Sequence, residues 1–178
     1  MVRACDDEER VGHVLSRIAQ HLRSLERSFE LLVADEGSGD NTLAVATLLR
    51  PTCAEIEILH AEPEEGYRDA CARARGRAIL LYDARSEAPL APLGFALERL
   101  SEGLDVVAVD GTFLVLRRTR AWRAFDALVD KRDPRQLERR FLRRARSLGL
   151  KCEVTHRRPS RWRKLRATLL APLAFARS

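Results

Sequence analysis

Leu31-Leu32-Val33-Ala34-Asp35-Glu36-Gly37-Ser38-Gly39-Asp40-Asn41-Thr42 is the stretch whose reading decides the fold. Its apolar run is continuous rather than alternating, which predicts a short strand buried on both faces. The strand delivers two carboxylates, Asp35 and Glu36, into a turn, and Asp40 stands where it can cap a helix that starts directly after it. Gly37 and Gly39 permit a tight turn and close backbone approach. A carboxylate at such a strand end can accept hydrogen bonds from a base N–H or from ribose hydroxyls. A plain turn, with Asp35 merely ending the strand and Asp40 capping, fits the same residues.

Working outward, Val11, Val14, Leu15, Ile18, Leu22 and Leu25 recur with the helical period and predict a helix over 8–26. Leu43, Val45, Leu48 and Leu49 continue the helix that Asp40 opens, and Pro51 closes it. Residues 55–60 alternate as a strand, and a short helix over 66–75 stops at Gly76. Residues 78–82 form a second apolar strand, ending at Asp83. A helix over 89–100 follows, closed by Gly103, then strands over 105–109 and 112–116. Helices over 119–129 and 134–148 and a last strand over 150–155 complete the pattern. Strands alternating with helices predict an α/β fold, a mostly parallel sheet flanked by helices in a single domain. Asp35 and Asp83 both fall at carboxyl ends of strands, the edge where open α/β sheets bind ligands.

The 178 residues suit one domain with its own core. With 46% hydrophobic and 33% charged residues, the composition excludes intrinsic disorder. No apolar run of about 18 residues predicts a membrane-spanning helix, and MVRACDDEER lacks the apolar centre of a signal peptide. Cys5, Cys53, Cys71 and Cys152 are scattered without a C-x-x-C pair, which argues against a disulfide framework and a zinc site. A reducing, cytoplasmic compartment is the expectation. Charge is sorted along the chain. Residues 1–116 carry 12 basic and 21 acidic side chains, whereas 117–166 carry 19 basic and 5 acidic. An acidic body with a basic C-terminal third suggests contact with a polyanion. An arginine-rich composition alone would explain the count, since only three of the 32 basic residues are lysine, but it explains the sorting less well.

The central stretch resembles the D-D-G-S-x-D-x-T motif of the family 2 glycosyltransferases, which have the GT-A nucleotide-sugar-binding fold. Ala4-Cys5-Asp6-Asp7-Glu8-Glu9-Arg10 looks like that family's A-Y-N-E-E segment, and Gly66-Tyr67-Arg68-Asp69-Ala70 through Ala74-Arg75-Gly76 resembles its G-x-x-x-A…A-x-G helix. Ile79-Leu80-Leu81-Tyr82-Asp83-Ala84-Arg85 takes the place of the strand ending in D-x-D. Gly111-Thr112-Phe113-Leu114-Val115-Leu116-Arg117-Arg118 resembles a later G-F-x-x-F-R-R element. Arg143-Arg144-Ala145-Arg146-Ser147-Leu148-Gly149-Leu150 with Glu153-Val154 resembles the helix and strand after it. The shared order covers residues 2–156, and the nearest branch is the one using dolichol or other polyprenyl phosphates as acceptors.

The resemblance implies a donor site for a nucleoside diphosphate sugar of UDP or GDP type, made by Ala4, Cys5, Asp35, Glu36, Gly37, Ser38, Arg68, Asp83 and Arg85. Glu36 would contact the base, Asp35 would support the turn or touch the ribose, and Asp83 matches the first D-x-D aspartate. The second aspartate is Arg85, a cation where Mg²⁺ or Mn²⁺ would need an oxygen ligand. A metal is therefore expected only if coordination survives on Asp83, and Arg85 becomes a candidate to meet the diphosphate itself. Only Met1 and Val2 precede Arg3-Ala4-Cys5, which leaves the first strand nearly absent. Cys5 replaces a common tyrosine, and its acidic neighbours Asp6, Asp7, Glu8 and Glu9 disfavour a thiolate. The segment that shapes the family's acceptor site is missing, because Asp110-Gly111 follows residues 105–109 at once. Candidate catalytic bases are Asp110, Asp130, Asp133 and Glu138, each also readable as a solvated charge.

The segment from residue 157 onward reads as a basic amphipathic tail beyond a domain over 1–156. Trp162, Leu165, Leu169 and Leu173 can share one helical face among arginines, although Pro172 would kink or end that helix. The tail is a candidate for an anionic membrane or polyprenyl phosphate, placing the protein peripherally on the inner face of the membrane. A terminal helix packed on the body is the plainer reading. Nucleic acid is disfavoured for want of interleaved aromatics. The expected function is transfer of a sugar from its nucleotide to a hydroxyl or a lipid phosphate. The competing reading is a catalytically inactive glycosyltransferase-like module that binds a ligand, a partner or a membrane. A nucleotidyltransferase would carry a glycine-rich, lysine-bearing loop after the first strand, and Arg3-Ala4-Cys5-Asp6-Asp7 is not one.

Overall fold

A computed structural model describes residues 1–63, 65–109, 113–124 and 134–155. Among them run the strands β1 (Val2–Ala4), β2 (Leu31–Asp35), β3 (Ile56–His60), β4 (Ala78–Asp83), β5 (Val106–Val109), β6 (Phe113–Arg117) and β7 (Cys152–Thr155). The helices are α1 (Glu8–Ser24), α2 (Thr42–Leu48), α3 (Gly66–Arg73), α4 (Leu93–Ser101), α5 (Arg118–Ala121) and α6 (Pro134–Ser147). The strands form one sheet in the order β3-β2-β1-β4-β6-β5-β7. Pairing is parallel except where β6 runs antiparallel to β4 and β5.

Period-two alternation sends each strand's side chains into two cores, one per face. Leu31 and Val33 of β2, Tyr82 of β4, Val107 of β5 and Val115 of β6 join α1 and α4 on one face. Leu32, Ala34, Ile79, Leu81, Val106 and Leu116 meet α3 and α6 on the other. In α1, Val11, Val14, Leu15 and Ile18 are the buried stripe, while Glu8 and Glu9 in its first turn and Arg23 in its last suit the helix dipole. No helix among the described residues is long and apolar enough to cross a membrane.

Several expectations shift. The nearly absent first strand is a formed three-residue strand, buried at every position and lying between β2 and β4. The helix expected from residue 89 starts at Leu93, because Pro89 and Pro92 disfavour helical geometry in the residues before them. The helix expected over 119–129 is described only to Ala124, as α5 and a 3₁₀ turn over Trp122–Ala124. Residues 125–129, Asp110, Asp130, Asp133 and the tail lie outside the described residues.

Candidate functional site

Because β1 pairs with both β2 and β4, the carboxyl ends of three strands lie side by side. In register, Ala4 stands opposite Asp35, and Arg3 stands opposite Asp83. The loops after β1 and β2 interlock. Asp6 adopts a positive φ of 53°. Its N–H donates to Ser38 Oγ at 3.1 Å, and its Oδ1 accepts the Gly39 N–H at 2.8 Å. The Asp7 N–H donates to Thr42 Oγ1 at 2.8 Å. The N-cap position of α2 falls on Asn41, which makes no side-chain capping bond, so Asp40 stands one residue before the expected cap. It accepts the Thr42 N–H at 2.9 Å and the Glu8 N–H at 3.1 Å, tying the start of α2 to the start of α1. Buried Asp35 accepts the Ser38 hydroxyl and, at 3.4 Å, the Ser38 N–H. Gly37 supplies a φ of 76°, which a side chain would strain. Asp35, Gly37 and Ser38 therefore brace the turn rather than line a cavity.

The cavity beside this frame is lined by Arg3, Ala4, Cys5, Asp7, Glu36, Asp83 and Arg85, and about 20 Å³ of it is free. That is room for one water, far below the roughly 300–1,000 Å³ of a ligand pocket. Two guanidinium groups account for the closure. Arg3, 5% exposed, donates from Nη2 to Asp83 Oδ2 at 2.7 Å and lies 5.1 Å from the centre of the Tyr67 ring. Arg85 donates from Nε to Asp7 Oδ1 at 3.1 Å and from Nη2 to the Cys5 carbonyl at 2.5 Å. The hydrogen bond to Asp7 raises the Arg85 pKa against the opposing effect of burial, so the side chain stays charged. Its own backbone N–H donates to Asp83 Oδ1 at 2.8 Å. Arg10 Nη1 waits 3.9 Å from the Asp7 oxygen that Arg85 holds.

Glu36 is buried, and its Oε1 accepts the Gly66 N–H at 3.1 Å, so the first turn of α3 aims this carboxylate. A Cβ at Gly66 would fall 2.8 Å from that oxygen, which explains the glycine. The donor set does not fit a divalent cation. Both Asp83 oxygens are engaged, one by a guanidinium, and the residue two positions on is itself a guanidinium. Among the described residues no three His, Cys, Asp or Glu side chains are placed to share a metal ion.

Of the residues expected from sequence, Ala4, Cys5, Glu36, Asp83 and Arg85 line the cavity. Arg68 does not. It sits on the exposed side of α3, paired with Glu65 and Asp69, because Gly66, Tyr67, Ala70 and Cys71 form the buried side of that helix. Glu138 is half-buried on α6, which contributes nothing to the cavity lining. Arg3 and Asp7 also line the cavity and are absent from the site residues the resemblance implies. The signal available in the sequence is a cation, Arg3, three residues before the acidic run that starts at Asp6.

No family model matches this sequence. A curated relative, the undecaprenyl-phosphate 4-deoxy-4-formamido-L-arabinose transferase of Pseudomonas paraeruginosa (strain DSM 24068 / PA7), is 30% identical over 127 residues, 66% of this chain and 35% of the relative. The chain thus spans about a third of that relative's length. Among solved structures, the mannosyltransferase PcManGT from Pyrobaculum calidifontis in complex with GDP-Man and Mn²⁺ superposes with a TM-score of 0.64 at 15% identity. That match covers 88% of this chain and 53% of the mannosyltransferase. S. aureus TarS 1–349 in complex with UDP-GlcNAc gives 0.65 at 14% identity, over 88% of this chain and 57% of the TarS 1–349 chain. Mannosyl-3-phosphoglycerate synthase from Rubrobacter xylanophilus gives 0.62 at 17% identity, over 93% of this chain and 68% of the synthase.

Proposed function

We propose that this chain, which has the GT-A fold, is a family 2-like glycosyltransferase domain that binds a nucleoside diphosphate sugar at the carboxyl edge of β2, β1 and β4 without a divalent metal. The observation that carries the reading is Arg85, held by Asp7 over a cavity that also presents Glu36 and Asp83. Glu36, aimed by the Gly66 N–H, is the acceptor for a base N–H. Asp83, fixed by Arg3, faces the ribose.

Arg85 is half-exposed, so its bonds to Asp7 and the Cys5 carbonyl can be exchanged for bonds to a ligand. Leaving Asp7 for the diphosphate opens the cavity and brings one positive charge to the leaving group. Arg10 then stands ready to neutralise Asp7. The sugar moves by direct displacement: an acceptor oxygen attacks the anomeric carbon while its bond to the diphosphate oxygen breaks. The sugar nucleotides bound by the structural neighbours point to a GDP or UDP donor. The lipid phosphate in the curated relative's name makes such a phosphate the first acceptor to try, ahead of a simple hydroxyl.

The test is release of nucleoside diphosphate from a panel of UDP- and GDP-sugars, with polyprenyl phosphate or a hydroxyl acceptor, in the presence of a chelator, read by mass spectrometry. Turnover of one donor under chelation is the expected result. Binding without turnover of any donor would favour the inactive, ligand-binding reading.

A further inference from the structure

We propose that the outer face of α6 docks on an anionic phospholipid bilayer, an inference independent of the donor site. The helix buries Leu137, Phe141, Leu142 and Ala145 and turns five arginines to solvent. Arg139, Arg143 and Arg146 follow at i, i+4 and i+7, with Arg140 and Arg144 beside them. Like charges at this spacing destabilise a helix. Elsewhere in the protein arginines find carboxylates on other elements: Arg23 with Glu55 at 3.2 Å, Arg75 with Glu30 at 3.0 Å, Arg99 with Glu153 at 2.6 Å. None of the five on α6 has a carboxylate of the described residues within 4 Å. A helix whose arginine rows meet no carboxylate among the described residues is matched to an external polyanion.

Two further observations select a bilayer over a nucleic acid. Leu148, one turn beyond Arg144, is 43% exposed, an apolar side chain beside the cationic rows. The sequence after β7 continues the same chemistry, with six basic residues and Trp162 in 157–166 and then Leu169, Leu170, Leu173 and Phe175. Strand directions place the carboxyl end of β7 on the edge that holds the cavity. Arginine pairs with lipid phosphate while neighbouring apolar side chains enter the interface. A nucleic-acid surface would want stacking aromatics, and the exposed side of α6 has none.

The experiment is co-sedimentation of the full chain with vesicles of phosphatidylcholine, with and without phosphatidylglycerol, at low and high salt. Partition only onto the anionic vesicles, lost at high salt, is expected. A triple variant, Arg139→Gln, Arg143→Gln and Arg144→Gln, keeps good helix formers and relieves repulsion, so its thermal melt should match or exceed that of the unmodified chain. At about 1 kcal/mol per arginine near an anionic surface, its partition should fall roughly 100-fold. A matched variant with Arg157, Arg158 and Arg161 changed to glutamine reports the tail separately. Absence of partition, unchanged partition of the folded α6 variant, or binding to duplex DNA that anionic vesicles fail to compete would each overturn the proposal.

Discussion

Replacing Arg85 by alanine separates two roles that a guanidinium in that cavity could have. If it only plugs the site, its removal enlarges the free volume of about 20 Å³ and nucleotide binding tightens. If it stands in for the metal, binding weakens. The half-exposed pair with Asp7 contributes about 1 kcal/mol or less to the resting state. Against a diphosphate oxygen at about 4 Å, one unit-charge pair is worth roughly 4 kcal/mol at an effective dielectric of about 20, before desolvation. After release from Asp7 and partial desolvation, about 2–3 kcal/mol remains for binding. Arg85→Ala should therefore raise the Kd for the preferred nucleotide by about 30- to 150-fold. Isothermal titration with UDP and GDP under chelation measures this directly. Arg85→Lys, which keeps the charge and loses the fork, should fall between the two. Equal or tighter binding by Arg85→Ala would refute the reasoning and make Arg85 a plug.

Removing Asp83 as alanine strips buried Arg3 of its ion pair with Asp83 and should cost about 3–5 kcal/mol in urea unfolding, whereas Arg3→Met combined with Asp83→Leu should recover most of that loss. Gly66→Ala drives a methyl to 2.8 Å from Glu36 Oε1 and 3.2 Å from Ala34 Cβ. It should cost about 1–3 kcal/mol in the same assay and weaken nucleotide binding through the displaced carboxylate. Burial works against ionised Glu30, yet the Arg75 and Gly76 N–H groups and the Arg75 side chain hold its pKa below the usual value of 4.5. Its stabilising effect is complete above that value and disappears as pH falls through the lower folded one. Unfolding of Glu30→Gln followed against pH should show a flatter acid limb, and an unchanged limb would contradict the assignment.

The parts legible in the sequence were those whose signal is local. β2 is readable because all five of its residues are buried and the run stops at a carboxylate. α1 is readable because five buried positions repeat at helical spacing within its seventeen residues. β1 is not, since three residues show no period and the strand is defined by neighbours far along the chain. The Arg3–Asp83 pair escapes for the same reason, as it depends on β1 lying in register against β4. The family resemblance assigns Arg68 to the site, but the helical period that buries Tyr67 and Ala70 turns Arg68 outward. Arg85 is legible as a departure from D-x-D, whereas its hold on Asp7 and the Cys5 carbonyl depends on the fold.

The claim of a metal-free donor site is tested most directly by thermal unfolding of the full chain against UDP, GDP, CDP and dTDP and their sugars, each with a chelator, Mg²⁺ or Mn²⁺. A ligand that binds only the folded state raises its stability with concentration. The account predicts stabilisation by one nucleotide and its sugar, of equal size under chelation and with metal. Stabilisation that appears only with Mn²⁺ or Mg²⁺, or no shift with any nucleotide at millimolar concentration, would contradict it.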